Sequence, residues 1–541
     1  MKINVVWTAF LFTATCCQAN DVQRETKLGT LRGNRRKVLD TVIEEYLGIP
    51  YAEPPTGDLR FKEPVPRSPW KGIYDATIGG SVCPQNREVK KPLTYTEDCL
   101  HLNVWIPKNA QQSPVLVWIH GGGFSFGSGS QNNSIGSVLA AKTGFVVVSI
   151  NYRLGMLGFL NANSPDAPGN QGLLDQNLAL KWVRDNIEAF GGDPSMVTIF
   201  GDSAGGMSVH SHILSPMSQG LFKRAVMMSG NMYTIDFFDS THESIIKGNK
   251  VAQLVGCAEP ARDLASHPGQ VLQCLRSKKV EELVLASTEV SKPKIFSFFP
   301  TYNDQFIPKV PRVAIDRGFF QDVEVLMGVT TDEGAMSLQF PHTPELLTES
   351  LVDVTLDSLD DALRRSKKDG LPSWMRAPHY TDVPYFLALP FNDDAGYTDE
   401  DRELCEDVVT MLTSFAKTGR RKPRTFQAKP SDFEPGRSAS CRRVRHLAGL
   451  LSRTPPRVSR FGRTRETARG RVGPSLQVDG RVVGESWIGL RATGQVAARA
   501  RSTGDDSTLV IPLALTVGVP TCGRLSAESP GPELLRRRVA A

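Results

Sequence analysis

Apolar positions along this chain follow two rhythms. VLVWI (115–119) and GFVVVSINY (144–152) are short, β-branched, bounded by Gly and Pro, and apolar on both faces. Strands of a parallel sheet covered by helices on both sides read this way. Between Gly172 and Phe190, the residues Leu173, Leu174, Leu178, Trp182, Ile187 and Phe190 recur at helical spacing, and GGDP then ends the helix. Another β run, MVTIF (196–200), follows. Strands alternating with helices predict an α/β architecture: a mostly parallel, doubly wound central sheet whose functional loops lie at the carboxyl ends of its strands.

The two ends of the chain depart from this pattern. MKINVVWTAFLFTATCCQAN pairs Lys2 with an apolar run and then offers Cys17-Gln18-Ala19, small at the two positions that flank a signal-peptidase cut. Residues 1–19 are therefore expected to be a removed signal peptide, since the run is shorter than the roughly 20 apolar residues of a membrane anchor. No later segment reads as a span, so a secreted, extracellular or endoplasmic-reticulum lumenal chain is expected. The net charge of +6 hides an asymmetry: residues 420–541 hold 22 Arg and 2 Lys against 9 acidic residues, leaving the rest of the chain negative. This Arg-rich tail lacks Tyr and apolar periodicity. It is expected to be disordered rather than a binding module, and with no nucleic-acid signature beside it no nucleic-acid partner is expected.

Cysteine usage suits an oxidising compartment. Beyond Cys16 and Cys17, Cys83 sits close in sequence to Cys99 and Cys257 to Cys274, each pair able to staple one loop, while Cys405, Cys441 and Cys522 remain over. A glycosylation sequon starts at Asn132 in a polar stretch.

The chemistry gathers around FGDSAGG (200–206). A strand ending at Phe200 and turning at once into a helix needs a tight, strained turn, and the residue at its apex has its side chain pushed into the open. Gly201 and Gly205 give room on either side, so Ser203 reads as a nucleophile beside a helix N-terminus that favours negative charge. Acyl transfer also needs oxyanion donors. WIHGGGF (118–124) supplies them at the end of another predicted strand, where the N–H groups of Gly122 and Gly123 would join that of Ala204. A phosphate-binding reading of this loop fails, because no Lys-Ser/Thr follows it and no GxGxxG pattern is present.

Taken together, YLGIPYAEPPTGDLRF (46–61), EDCLHLNVW (97–105), HGGGF, NYRLGMLGF (151–159), GNQGLLDQNLALKWVRDNIEAFGGDP (169–194) and GDSAGG resemble the type-B carboxylesterase/lipase family, which includes cholinesterases and bile-salt-activated lipase. The resemblance implies an α/β-hydrolase fold over residues 20–419, disulfides Cys83–Cys99 and Cys257–Cys274, ester cleavage without a cofactor or metal, and a Ser-His-Glu triad. Its acid falls on Glu333 in GVTTDEG, just past the apolar run VEVLM. On the residues alone, neighbouring Asp332 is an equal candidate. Its base falls on His379, which opens HYTDVPYFLALPF (379–391). His120 belongs to the glycine loop, and His101, His210, His212, His242, His267, His342 and His446 read as structural or exposed.

Two features depart from the family. Between Glu333 and His379 the family has about twice as many residues, so the segment between 340 and 375 is shortened, and the tail replaces the family's final strands and helix. The expected function is a secreted serine esterase working through an acyl-enzyme. The alternative is a catalytically impaired chain or a non-catalytic cholinesterase-like binding protein. CPQNREVKKPLTYTEDC (83–99) carries Val89, Lys90 and Lys91 and no Trp, so neutral esters are expected as substrates rather than choline esters, whose ammonium a Trp would hold. The sequence sets no oligomeric state.

Overall fold

The computed structural model describes residues 21–86, 94–130, 135–233, 237–291, 296–331, 333, 377–392 and 396–420. The expected signal peptide, Asn132, Asp332, the shortened segment, Cys441, Cys522 and the Arg-rich tail lie outside the described residues.

The frame is one large sheet. Its strands are β1 (Asp21–Thr26), β2 (Gly29–Val38), β3 (Thr41–Pro50), β4 (Ile73–Asp75), β5 (His101–Pro107), β6 (Ser113–Ile119) and β7 (Val146–Ile150). After a small ribbon of β8 (Asn161–Ser164) and β9 (Ala167–Pro168) come β10 (Gly192–Asp202), β11 (Arg224–Met228) and β12 (Glu324–Gly328). The spatial order is β1-β2-β3-β5-β7-β6-β10-β11-β12, with β4 beside β2. From β7 through β6, β10 and β11 to β12 every pairing is parallel, whereas β1, β2, β3, β5 and β7 pair antiparallel.

Period-2 alternation makes this sheet the floor of two apolar layers. In β6, Val115, Val117 and Ile119 face one core while Leu116 and Trp118 face the other. The first core takes Leu173, Leu180 and Val183 from the helix Gln171–Asn186. The second takes Val138 and Leu139 from the helix Ile135–Thr143, and Leu404, Val408, Leu412 and Phe415 from the helix Asp399–Thr418. Burial on both faces explains why these strands read as continuous apolar runs. The mostly parallel sheet flanked by helices is the expected α/β arrangement.

Local details refine the reading. The predicted helix up to Phe190 ends as an α-helix at Asn186 and finishes in a 3₁₀ turn, Ile187–Phe190, capped by Gly191 at φ 76°. The strand that follows begins at Gly192, ahead of MVTIF, with a register shift against β6 between Gly192 and Val197. Cys83 is joined to Cys99 and Cys257 to Cys274. Cys405 is a buried free thiol that donates to the carbonyl of Tyr385. Among the described residues, no helix is long and apolar enough to cross a membrane.

Candidate active site

Four adjacent strands end together. Ile119 at the end of β6 leads into the glycine loop, and Asp202 at the end of β10 leads into Ser203. Met228 at the end of β11 leads into Ser229, and Gly328 at the end of β12 leads towards Glu333. Carboxyl ends of parallel strands are where such folds collect functional side chains.

Ser203 sits at φ 56°, ψ −122°, between β10 and the helix Ala204–Leu214. An L-residue is strained there, and the surroundings enforce the conformation. The Ser203 N–H donates to Met228 O at 2.9 Å, and its carbonyl accepts from Met207 N at the same distance. A Cβ on Gly201 or Gly205 would fall within 3.0 Å of the Ile119 carbonyl oxygen, and one on Gly230 within 3.0 Å of Ser203 O. Backbone therefore packs directly on backbone. Although Ser203 occupies the position preceding the helix, its side chain makes no capping hydrogen bond. The hydroxyl is left for other work.

Opposite lies the loop that follows β6. Gly122 (φ 106°) and Gly123 (φ 58°) take conformations that disfavour side chains. A Cβ on Gly122 would strike Phe126 O, and one on Gly123 the ring of Phe296. The Gly122 carbonyl accepts from the N–H groups of Ser125 and Phe126 at 3.0 and 3.1 Å. Among the described residues, the N–H groups of Gly122, Gly123 and Ala204 donate to no backbone acceptor. Phe126, Phe296 and Phe299 form an aromatic chain beside them, with ring centroids 6.1 and 6.4 Å apart.

Glu333 and His379 meet. His379 Nδ1 donates to Glu333 Oε1, while Glu333 Oε2 accepts from Ser229 Oγ at 2.8 Å and from Thr330 Oγ1 at 2.6 Å. With one oxygen fixed by two hydroxyls, the other is aimed at the imidazole. Burial raises the Glu333 pKa, but the bond to His379 and its charge outweigh this and hold the carboxyl below its usual range. Burial likewise opposes charge on His379, yet the acidic groups around it, Asp202, Glu333 and Asp382, together with its bond to Glu333, prevail and raise it to about 9.

Ser229, Thr330, Asp202 and Asp382 went unread in the sequence. Asp202 precedes the nucleophile position and Asp382 lies three residues beyond His379. Both are buried. Neither Asp202 oxygen has a hydrogen-bond partner among the described residues. Burial pushes Asp202 well above the carboxylate range, and Asp382 to about 6. A carboxyl directly beside the elbow was the available signal in GDSAGG, although sequence offers no measure of its burial.

The other histidines take ordinary places. His212 is buried and bonded to Ser218 Oγ and Gln176, and His210 accepts from Met232 N. His101 is buried, while His242 and His267 are exposed. His342 and His446 lie outside the described residues. Among those described, no group of three or more His, Cys, Asp or Glu is placed to hold a metal.

Chemically, the described residues offer a hydroxyl on a strained turn that makes no capping bond, three N–H groups that donate to no described backbone acceptor, and an imidazole oriented by a carboxylate. Comparison with known proteins gives the family. The carboxylesterase family model matches residues 20–368 and 358–442. The chain is 31% identical over 502 residues to the acetylcholinesterase of Bungarus fasciatus, an alignment covering 76% of this chain and 82% of that protein. The matched segments span most of the chain, including the elbow, the glycine loop and the Glu333 and His379 positions, and so the chain belongs to the carboxylesterase family.

Proposed function

We propose that this carboxylesterase-family protein is a secreted serine esterase that cleaves neutral carboxylic esters through an acyl-enzyme. Ser203 Oγ attacks the ester carbonyl carbon as His379 takes its proton. The N–H groups of Gly122, Gly123 and Ala204 bind the oxyanion, and Glu333 fixes the imidazole and stabilises its charged form. Collapse of the tetrahedral intermediate breaks the bond to the alcohol, which leaves with the proton held by His379. Water, activated by the same imidazole, then attacks the acyl-enzyme and releases the acid. The observation that carries this reading is the hydrogen bond from His379 to Glu333, which lies beyond the carboxyl end of β12 as Ser203 lies beyond that of β10.

The aromatic chain Phe126-Phe296-Phe299 beside the donors supports an apolar acyl group. The segment 83–99 has no Trp to hold an ammonium, which supports neutral esters over the choline ester named for the snake relative. Its Val89, Lys90 and Lys91 lie outside the described residues. Two disulfides and the apolar N-terminal run support secretion.

Covalent labelling of the full chain by a fluorophosphonate tests the mechanism. Rapid labelling of wild type, lost in both Ser203→Ala and His379→Ala, is expected. Folded wild type that fails to label refutes the esterase reading and favours the non-catalytic alternative. A choline ester hydrolysed faster than a neutral ester of equal acyl length refutes the substrate assignment alone.

A further inference from the structure

His120 opens the glycine loop but contributes none of the three donors. Its ring is buried, stacked on Tyr152 with centroids 4.3 Å apart, and its Nδ1 lies 2.9 Å from Gly121 O. A carbonyl can only accept, so Nδ1 carries the proton. The remaining ring nitrogen, Nε2, is buried without a partner among the described residues. Protonation at Nε2 instead would bury an unmet donor and set the Nδ1 lone pair against the carbonyl lone pairs, losing on both counts. Burial lowers the His120 pKa to about 4, which keeps the ring neutral.

What Gly121 O does next follows from covalent geometry. The peptide unit is planar and trans, so the C=O of Gly121 and the N–H of Gly122 are rigidly linked and point in opposite directions. Holding that carbonyl therefore aims that N–H. Nothing in Gly122 itself provides the constraint, since a glycine at φ 106° has the widest conformational freedom of any residue. The ring is in turn wedged from behind. A Cβ on Gly127 would lie 2.5 Å from His120 Nδ1. Gln85 holds Gly127 by two hydrogen bonds of 3.0 Å, Nε2 donating to Gly127 O and Oε1 accepting from Gly127 N. Tyr152 OH donates to His120 O at 2.8 Å and fixes the preceding peptide.

We propose that His120 is a positioning residue of the oxyanion site, aiming the Gly122 N–H by holding the Gly121 carbonyl through Nδ1. The inference rests on the esterase reading above and deepens it. Losing an oxyanion donor costs roughly 100- to 1,000-fold in kcat, and a displacement of about 1 Å costs on the order of 100-fold. A donor that is misaimed rather than lost falls at or below that level.

The test compares His120→Phe, His120→Asn and His120→Gln in the full chain. Asn places an amide nitrogen where Nδ1 stands, and Gln places one near Nε2. His120→Phe is expected to lower kcat about 10- to 100-fold with KM for a neutral ester little changed. His120→Asn should recover most of that loss and His120→Gln should not. Wild-type kcat in His120→Phe, or equal losses in the Asn and Gln variants at unchanged melting temperature, overturns the proposal. Nitrogen-15 NMR of histidine-labelled wild type gives a readout independent of turnover. A protonated Nδ1 and bare Nε2 on His120 are expected, and the opposite tautomer overturns the proposal even in an active enzyme. An inactive wild type with the expected tautomer sinks the esterase reading while leaving the hold on Gly121 standing.

Discussion

Ser203 is expected to be a net cost to stability, and replacing it separates that cost from its chemistry. At φ 56°, ψ −122° the side chain is held in a sparsely populated region, which costs roughly 1–3 kcal/mol. The hydroxyl caps nothing, so Ser203→Ala removes the nucleophile but keeps the strained Cβ. Ser203→Gly removes both. Set against the strain relieved is the larger entropy glycine loses on folding, about 0.5–1 kcal/mol. The net expectation is a glycine variant about 1 kcal/mol more stable than the alanine variant. With an unfolding entropy of about 2.1 cal/mol/K per residue, a body of about 400 residues shifts by only about 1 °C per kcal/mol. Differential scanning calorimetry of the two variants, run side by side at one scan rate, resolves a difference of that size. The order expected is glycine above alanine, with alanine close to wild type. A glycine variant that melts at or below the alanine variant refutes the claim that the elbow is strained, and with it the claim that the surrounding backbone stores that strain to present the hydroxyl.

Further predictions concern charge and packing. His379, raised to about 9, must lose its proton to act as a base, so kcat/KM should climb as pH rises from neutral and level off only near that value. Asp382, raised to about 6, is ionised over this range, and Asp382→Asn removes one of the charges that raise His379, so the limb should move to lower pH, the rate at neutral pH gaining about tenfold per unit moved if the plateau is unchanged; a limb that stays put refutes the assigned cause. The same raised pKa has the opposite sign in stability. The contribution of His379 is fully present below about pH 6.5 and is lost as pH rises through about 9, so this alkaline arm of stability should vanish in His379→Ala. Gly205→Ala places a Cβ within 3.0 Å of Ile119 O, a backbone atom in the centre of the sheet that cannot move aside. A loss of about 3 kcal/mol together with loss of fluorophosphonate labelling is expected, and a variant with wild-type melting and labelling would show that the strand end yields.

How much of this was legible beforehand depended on whether the signal was local. The apolar runs of β6, β7 and β10 announced buried strands because both faces are covered, and GDSAGG and HGGGF announced their turns because only small residues fit there. The start of β10 was misread, since Gly191 closes a 3₁₀ turn and Gly192 already pairs with Ser113. A helix stop and a strand start share the same glycines. Ser229 and Thr330 were invisible as supports for Glu333 because their role depends on β11 and β12 lying side by side. Asp202 was visible as a residue but not as a buried, unpartnered carboxyl. His120 was read as part of the glycine loop. That its Nδ1 faces Gly121 O depends on the wedge made by Gly127, which is held by Gln85 from 42 positions away in the chain.

Glu333 and His379 are held from opposite sides of the stretch that connects them. The two ends are anchored separately. Glu333 is held from its N-terminal side: Ser229 N donates to Gly328 O at 2.9 Å, and Ser229 and Thr330 hydroxyls grip one carboxylate oxygen. His379 is held from its C-terminal side. Thr381 donates to Pro378 O through Oγ1 at 2.8 Å, the short helix Val383–Phe386 follows, and Tyr385 OH donates to Asp401 in the helix Asp399–Thr418. That helix is itself fixed to the sheet, since Arg224 donates to Ala416 O at 2.8 Å and Leu412 and Phe415 lie in the second core. Each of these contacts joins described residues to one another. Among the described residues, Glu333 is supported through β12 and His379 through the helix Asp399–Thr418, and fluorophosphonate labelling should be lost when either support is loosened, for instance in Tyr385→Phe; labelling unchanged in that variant refutes the role given to the helix.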